Sequence, residues 1–182
     1  IDLEDIEKIQ EGLYVAAEKV HIPVEDAKAV FGGMYHRNLE DINLADVVKR
    51  WFNDYTNESL QVLGKTAQHS PDYLKYVRGV LKKQYPSGYI RIFRGTGHSK
   101  TVGEALGRKY VNVTSSRDVA KRFEDTWTTA KVTPSLDNIS IKVDDVVAIG
   151  AVKESELIIP TSILKERIAE LDQDPGFLEL ST

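Results

Sequence analysis

The chain contains no cysteine, which excludes disulfides, thiolate metal sites and cysteine nucleophiles together. No compartment follows from that, because many exported bacterial proteins lack cysteine too. Nor is there an apolar run near the roughly 20 residues needed to cross a bilayer, so no transmembrane helix is expected. A basic excess is missing as well. The 24 Lys and Arg face 28 Asp and Glu, for a net charge of −4 and a pI near 5.6. That balance argues against a general binder of phosphate backbones and leaves open only a local basic patch. The four histidines, at 21, 36, 69 and 98, form no His-Glu-x-x-His and no spacing with paired carboxylates. No metal site is expected. A Gly-x-Ser-x-Gly elbow is also lacking, so a serine hydrolase has no starting point.

What is present is a chain of 182 residues, 41% hydrophobic and 29% charged. That is enough for one ordered domain with a sizeable core. It opens on Ile1 rather than Met and carries no charged-then-apolar leader in its first residues, as expected of a processed or trimmed form. Residues 1–87 read as a mainly helical front. Leu3, Ile6, Ile9 and Leu13 recur at helical spacing behind Asp2. Pro23 opens a second helix, running through Val30 and stopping at Gly32-Gly33. Asn43 caps the clearest one, whose stripe is Leu44, Val47, Val48, Trp51, Phe52 and Tyr55. Ser70-Pro71 starts another, with Leu74, Val77 and Leu81, and Pro86-Ser87-Gly88 ends it.

Residues 88–182 read as a β-rich core. Tyr89 to Phe93, Lys109 to Thr114, Asn138 to Val143, Val146 to Val152 and Glu156 to Pro160 have strand patterns. Arg117 to Trp127 is helical, as is Thr161 to Leu171, and a last strand is expected near Phe177 to Leu180. Thr128 to Asn138 reads as a surface loop. Helices first and strands later indicate α+β rather than βαβ winding.

The segment Gly97-His98-Ser99-Lys100-Thr101 looks like the end of a phosphate-binding loop. It lacks the leading Gly and the Gly before Lys, and is set aside. Three other segments stand out. In Ile90-Arg91-Ile92-Phe93-Arg94-Gly95, a strand ends in Arg then Gly, with Arg94 on the face opposite Arg91. A core-ward guanidinium is costly unless it meets an anion, and a carboxylate elsewhere in the chain would serve. Tyr110-Val111-Asn112-Val113-Thr114-Ser115-Ser116 places hydroxyls at a strand-to-helix junction, where capping by Ser115 or Ser116 is the ordinary explanation. Glu154-Ser155-Glu156 precedes Leu157-Ile158-Ile159-Pro160. In extended chain its two carboxylates share one face, about 6–7 Å apart, which invites a raised pKa. A solvated strand edge would account for them equally.

In this order, the three segments resemble the arginine–serine–glutamate class of mono-ADP-ribosyltransferases, which includes bacterial toxins and phage enzymes. The resemblance covers about Trp51 to Pro160. It implies a mostly antiparallel two-sheet core of that family's type, following the helical segment within a single catalytic domain, 1–182. It also implies NAD as substrate with no metal, cleavage of the nicotinamide–ribose bond, and transfer of ADP-ribose to an arginine of a target protein. By the resemblance Glu156 stabilises the oxocarbenium-like transition state through the ribose 2′-hydroxyl, and Glu154 orients and deprotonates the acceptor. Arg94 binds a phosphate of NAD and Gly95 receives the nicotinamide amide. Thr114 or Ser115 holds the catalytic carboxylate, with Ser116 beside the cofactor.

The family has Ser-Thr-Ser two residues after an aromatic, where this chain has Asn112 after Tyr110, with hydroxyls only from Thr114. Its aromatic residue just ahead of Glu-x-Glu is replaced by Val152-Lys153. Tyr55 and Trp127 are further candidates to stack on cofactor rings, although Tyr55 also belongs to a core stripe. A monomer secreted or delivered into a host cell, or acting in the cytoplasm of an infected bacterium, is the implied setting. Two alternatives keep the fold: ADP-ribosylation of a nucleic acid, which the acidic balance and Glu154 weigh against, and simple NAD hydrolysis. A third is a non-catalytic interaction module built on Ile1 to Gly64.

Overall fold

Capping residues and apolar spacing build the first half helix by helix in the computed structural model, which describes residues 3–32, 38–94, 107–122 and 139–172. Helix α1 (Leu3–Glu18) buries Leu13 and Ala17, with Ile6, Ile9 and Tyr14 packed at the core's edge. Helix α2 (Val24–Phe31) follows Pro23 and buries Ala27, Val30 and Phe31. Helix α3 (Leu44–Asp54) starts with a full capping box. Asn43 Oδ1 accepts from the Asp46 N–H at 3.1 Å, and Asp46 Oδ2 accepts from the Asn43 N–H at 3.0 Å. Such a cap contributes about 1 kcal/mol. Helix α3 buries Leu44, Val47, Val48 and Trp51 and ends on Tyr55 in the left-handed region, φ 49°.

Helix α4 (Asn57–Gln68) has no counterpart in the sequence expectation. Thr56 caps it, its Oγ1 accepting from the Ser59 N–H at 3.3 Å. A glycine at its centre, Gly64, breaks the pattern that would have announced it. The reason is tertiary. A Cβ at Gly64 would lie 2.4 Å from the Tyr110 ring, so the bare position is the seat of that side chain. One turn back, Gln61 donates to the Tyr110 carbonyl (2.9 Å) and accepts from its N–H (3.0 Å), serving the strand end as a neighbouring strand would. One turn on, Gln68 accepts the Tyr110 hydroxyl. Positions i, i+3 and i+7 of one helix face thus anchor the β half. Helix α5 (Pro71–Gln84) has Pro at its first turn and buries Tyr73, Val77 and Leu81.

The remaining elements are β1 (Tyr89–Ile92), β2 (Tyr110–Thr114), α6 (Arg117–Arg122), β3 (Ile139–Lys142), β4 (Ala148–Ile149), β5 (Glu156–Pro160) and α7 (Thr161–Asp172). They form two small antiparallel sheets, β1-β3 and β2-β5-β4. The two are joined where Phe93 and Thr114 exchange backbone hydrogen bonds of 2.7 and 2.9 Å. The expected order of helices followed by antiparallel strands is what the described residues show, and one buried apolar cluster runs through both halves.

One expected element is shorter. Strand 146–152 reduces to Ala148–Ile149 and gives way to a 3-10 turn, Val152–Glu154. The last strand, expected near Phe177 to Leu180, lies outside the described residues, as do Trp127 and the loop expected at Thr128 to Asn138.

Gly64→Ala tests the seat of Tyr110. Helix propensity alone favours Ala by up to about 1 kcal/mol, but the ring must move, and overpacking costs about 1–3 kcal/mol. A net loss of stability is expected, read as a fall of a few degrees in Tm. A rise in Tm would show that the ring is not held there.

Candidate functional site

Register decides which of the predicted side chains meet. Thr114 pairs with Glu156 and Asn112 with Ile158 across β2 and β5. Paired residues share a face, so Asn112 and Glu156 are diagonal neighbours on one side of the sheet. Asn112 Nδ2 donates to Glu156 Oε2 at 2.9 Å. Arg94, just past β1, enters from the Phe93–Thr114 junction, and its Nη1 donates to the Asn112 carbonyl (2.6 Å) and Oδ1 (2.8 Å). Arg94 and Glu156, 62 positions apart, are therefore linked through a single amide side chain.

Glu156 is 5% exposed. A buried carboxylate needs donors, and the described residues give this one three. Besides Asn112, the Trp51 indole N–H reaches Oε1 at 2.7 Å and the Ala151 N–H reaches it at 3.0 Å. A carboxylate offers about four lone-pair sites. Oε1 uses two and Oε2 one, so Oε2 retains acceptor capacity. Gly150 makes the arrangement possible, because a Cβ there would sit 1.8 Å from Oε1.

The Arg94 guanidinium is largely buried, with one like charge and one opposite charge acting on it. Burial first, and then the neighbouring Arg108, push its pKa below the usual value, while Glu156 opposes the shift. A guanidinium held in partly desolvated surroundings suits an anionic ligand. The Tyr55 hydroxyl titrates above its usual value, through burial and then the charges of Glu154 and Glu156. Its ring is half-exposed and stands edge-on to Trp51, 5.1 Å between centroids.

Other expected placements change. Glu154 and Glu156 do not lie in extended chain on one strand face. Glu154 closes the 3-10 turn and Ser155 takes the left-handed conformation, φ 51° and ψ 36°, so only Glu156 enters the strand. Glu154 is partly buried where Glu156 is fully so. Nor, among the described residues, does a hydroxyl hold the Glu156 carboxylate. Thr114 Oγ1 donates to the Glu154 carbonyl at 2.7 Å, and Ser115 Oγ accepts from the Tyr85 hydroxyl at 2.8 Å. Asn112, at the spacing after Tyr110 where a serine was expected, makes the hydrogen bond to this carboxylate that was expected of Thr114 or Ser115. Ser116 Oγ accepts from the Val119 N–H at 3.3 Å and caps α6. Gly95 lies outside the described residues.

Trp51, Asn112, Gly150 and Arg108 were not singled out for this site by the sequence. A small void of about 20 Å³ adjoins Ser115, Ser155 and Glu156, enough for one water. Two clefts of about 810 and 830 Å³ open elsewhere, along α1 and α5, and none of the predicted site residues lines them. Comparison of the chain with protein-family models, with curated proteins and with solved structures returned no match.

A mutant cycle tests the close approach of Gly150 and Glu156. Gly150→Ala should be destabilising in the wild type and far less so in a Glu156→Ala background, where the clashing carboxyl is gone. Equal losses of Tm in both backgrounds would contradict the contact.

Proposed function

We propose that this protein is an NAD-dependent mono-ADP-ribosyltransferase of the arginine–serine–glutamate class with an arginine acceptor, built on that class's two-sheet core. The observation that carries the reading is the convergence of Arg94 and Glu156 on Asn112. Three segments separated in sequence supply the cation, the linking amide and the acid that such chemistry uses, in the chain order of the class.

Breaking the nicotinamide–ribose bond develops positive charge on the sugar. A carboxylate fixed in advance stabilises that charge more in the transition state than in the ground state. Glu156 is such a group, with Oε2 left to accept a ribose hydroxyl. Arg94, with Arg108 nearby, suits a phosphate of the dinucleotide through its planar fork. The acceptor's guanidinium nitrogen attacks the anomeric carbon as nicotinamide leaves with the bonding pair, and the proton lost from that nitrogen goes to Glu154. A guanidinium needs this help because its pKa exceeds about 12. Glu154, more accessible than the buried Glu156, suits an acceptor that arrives from solvent. Secretion or delivery into a host cell belongs to the same proposal.

Incubation with labelled NAD and a small guanidine acceptor tests it. Glu156→Ala should lose both transfer and NAD hydrolysis, by at least about a hundredfold. Glu154→Ala should lose transfer and keep hydrolysis. Wild-type turnover in Glu156→Ala would refute the assignment, and label in an RNA fraction rather than on the guanidine would move the acceptor class.

A further inference from the structure

We infer that Trp51 is a positioning residue for Glu156, so that the helical front half completes the catalytic centre. This rests on the function proposed above. Periodicity makes Trp51 one apolar member of the α3 stripe, and its ring is 4% exposed. Its single polar atom tells more. A buried indole N–H requires an acceptor. Here the acceptor is the carboxylate 105 residues away, at 2.7 Å.

The donors divide the two oxygens by task. Trp51 and Ala151 both hold Oε1, over the bare Gly150. Oε1 is thereby the anchored oxygen. Oε2, held among the described residues by Asn112 alone, keeps a lone pair with which to accept a substrate hydroxyl. The direction of the Trp51 N–H is itself constrained. The capping box fixes where α3 begins, and the turn at Tyr55, whose N–H returns to the Trp51 carbonyl at 2.9 Å, fixes where it ends. The Tyr55 ring stands edge-on to the indole. An acid anchored on one oxygen by a helix of the other half keeps its second oxygen aimed without reorganising during the reaction.

Trp51→Phe keeps the aromatic packing and removes the donor. The expected result is a kcat for NAD cleavage reduced tenfold to a hundredfold, with KM for NAD within about twofold, since a transition-state interaction is lost and not ground-state binding. A second measurement does not depend on the variant's folding or on activity. In a Trp127→Phe background the remaining indole N–H signal in a ¹H–¹⁵N spectrum belongs to Trp51. It should shift in Glu156→Gln and hold its position in Glu154→Gln. An unmoved signal in Glu156→Gln overturns the inference, as does a folded Trp51→Phe enzyme with wild-type kcat. A wild-type protein that leaves NAD intact would instead overturn the function on which the inference rests, with the indole signal still reporting whether the bond exists.

Discussion

A carboxylate buried to 5% exposure is the constraint around which the rest of the molecule is arranged. Left without donors, Glu156 would cost several kcal/mol or give up its charge. Three donors from three places satisfy it: a helix of the first half, the middle of β2 and the backbone ahead of the Glu154–Glu156 turn. Each arrives by a different device. The Asn43–Asp46 box and the left-handed Tyr55 set the reach of α3. The β2–β5 register makes Asn112 a diagonal neighbour of the acid. Gly150 lets the Ala151 N–H come close.

The same arrangement explains why the two halves share a core. Helix α4 offers a glycine seat and two glutamines to Tyr110, and this fixes the strand that carries Asn112. Helix α3 packs beside α4 and brings Trp51. Two non-glycine residues of the described chain have positive φ, Tyr55 and Ser155, and both flank this acid. Left-handed conformations cost about 1 kcal/mol or more for such residues and persist where surrounding contacts impose them.

Much of the fold could be read from the residues, and the exceptions have physical causes. The stripe of α3 and its Asn43 cap, the Pro71 start of α5 and the β-branched runs around Val111 and Ile158 are local signals, and local signals decided those elements. Helix α4 was illegible because Gly64 answers to a ring 46 positions away. Reading Glu154 and Glu156 as sharing a strand face failed because Ser155, which lacks the left-handed preference of Gly or Asn, adopts that conformation here. Arg94, Thr114 and Glu156 were legible as chemistry-bearing types in order. Asn112 stood at the right spacing but lacked the expected hydroxyl, and an amide can donate as a hydroxyl does. Trp51 was hidden by its own apolarity, since a stripe position declares what the ring does and nothing about the N–H.

The account's central claim is that Glu156 and Arg94 serve one dinucleotide. The most direct measurement is a crystal structure of the Glu156→Gln protein grown with NAD, the substitution preserving the side chain's shape while blocking turnover. The claim predicts a phosphate of NAD on Arg94 and the nicotinamide ribose against the side chain at 156. A dinucleotide seated in the clefts along α1 and α5, or no dinucleotide in the crystal at saturating NAD, would contradict it.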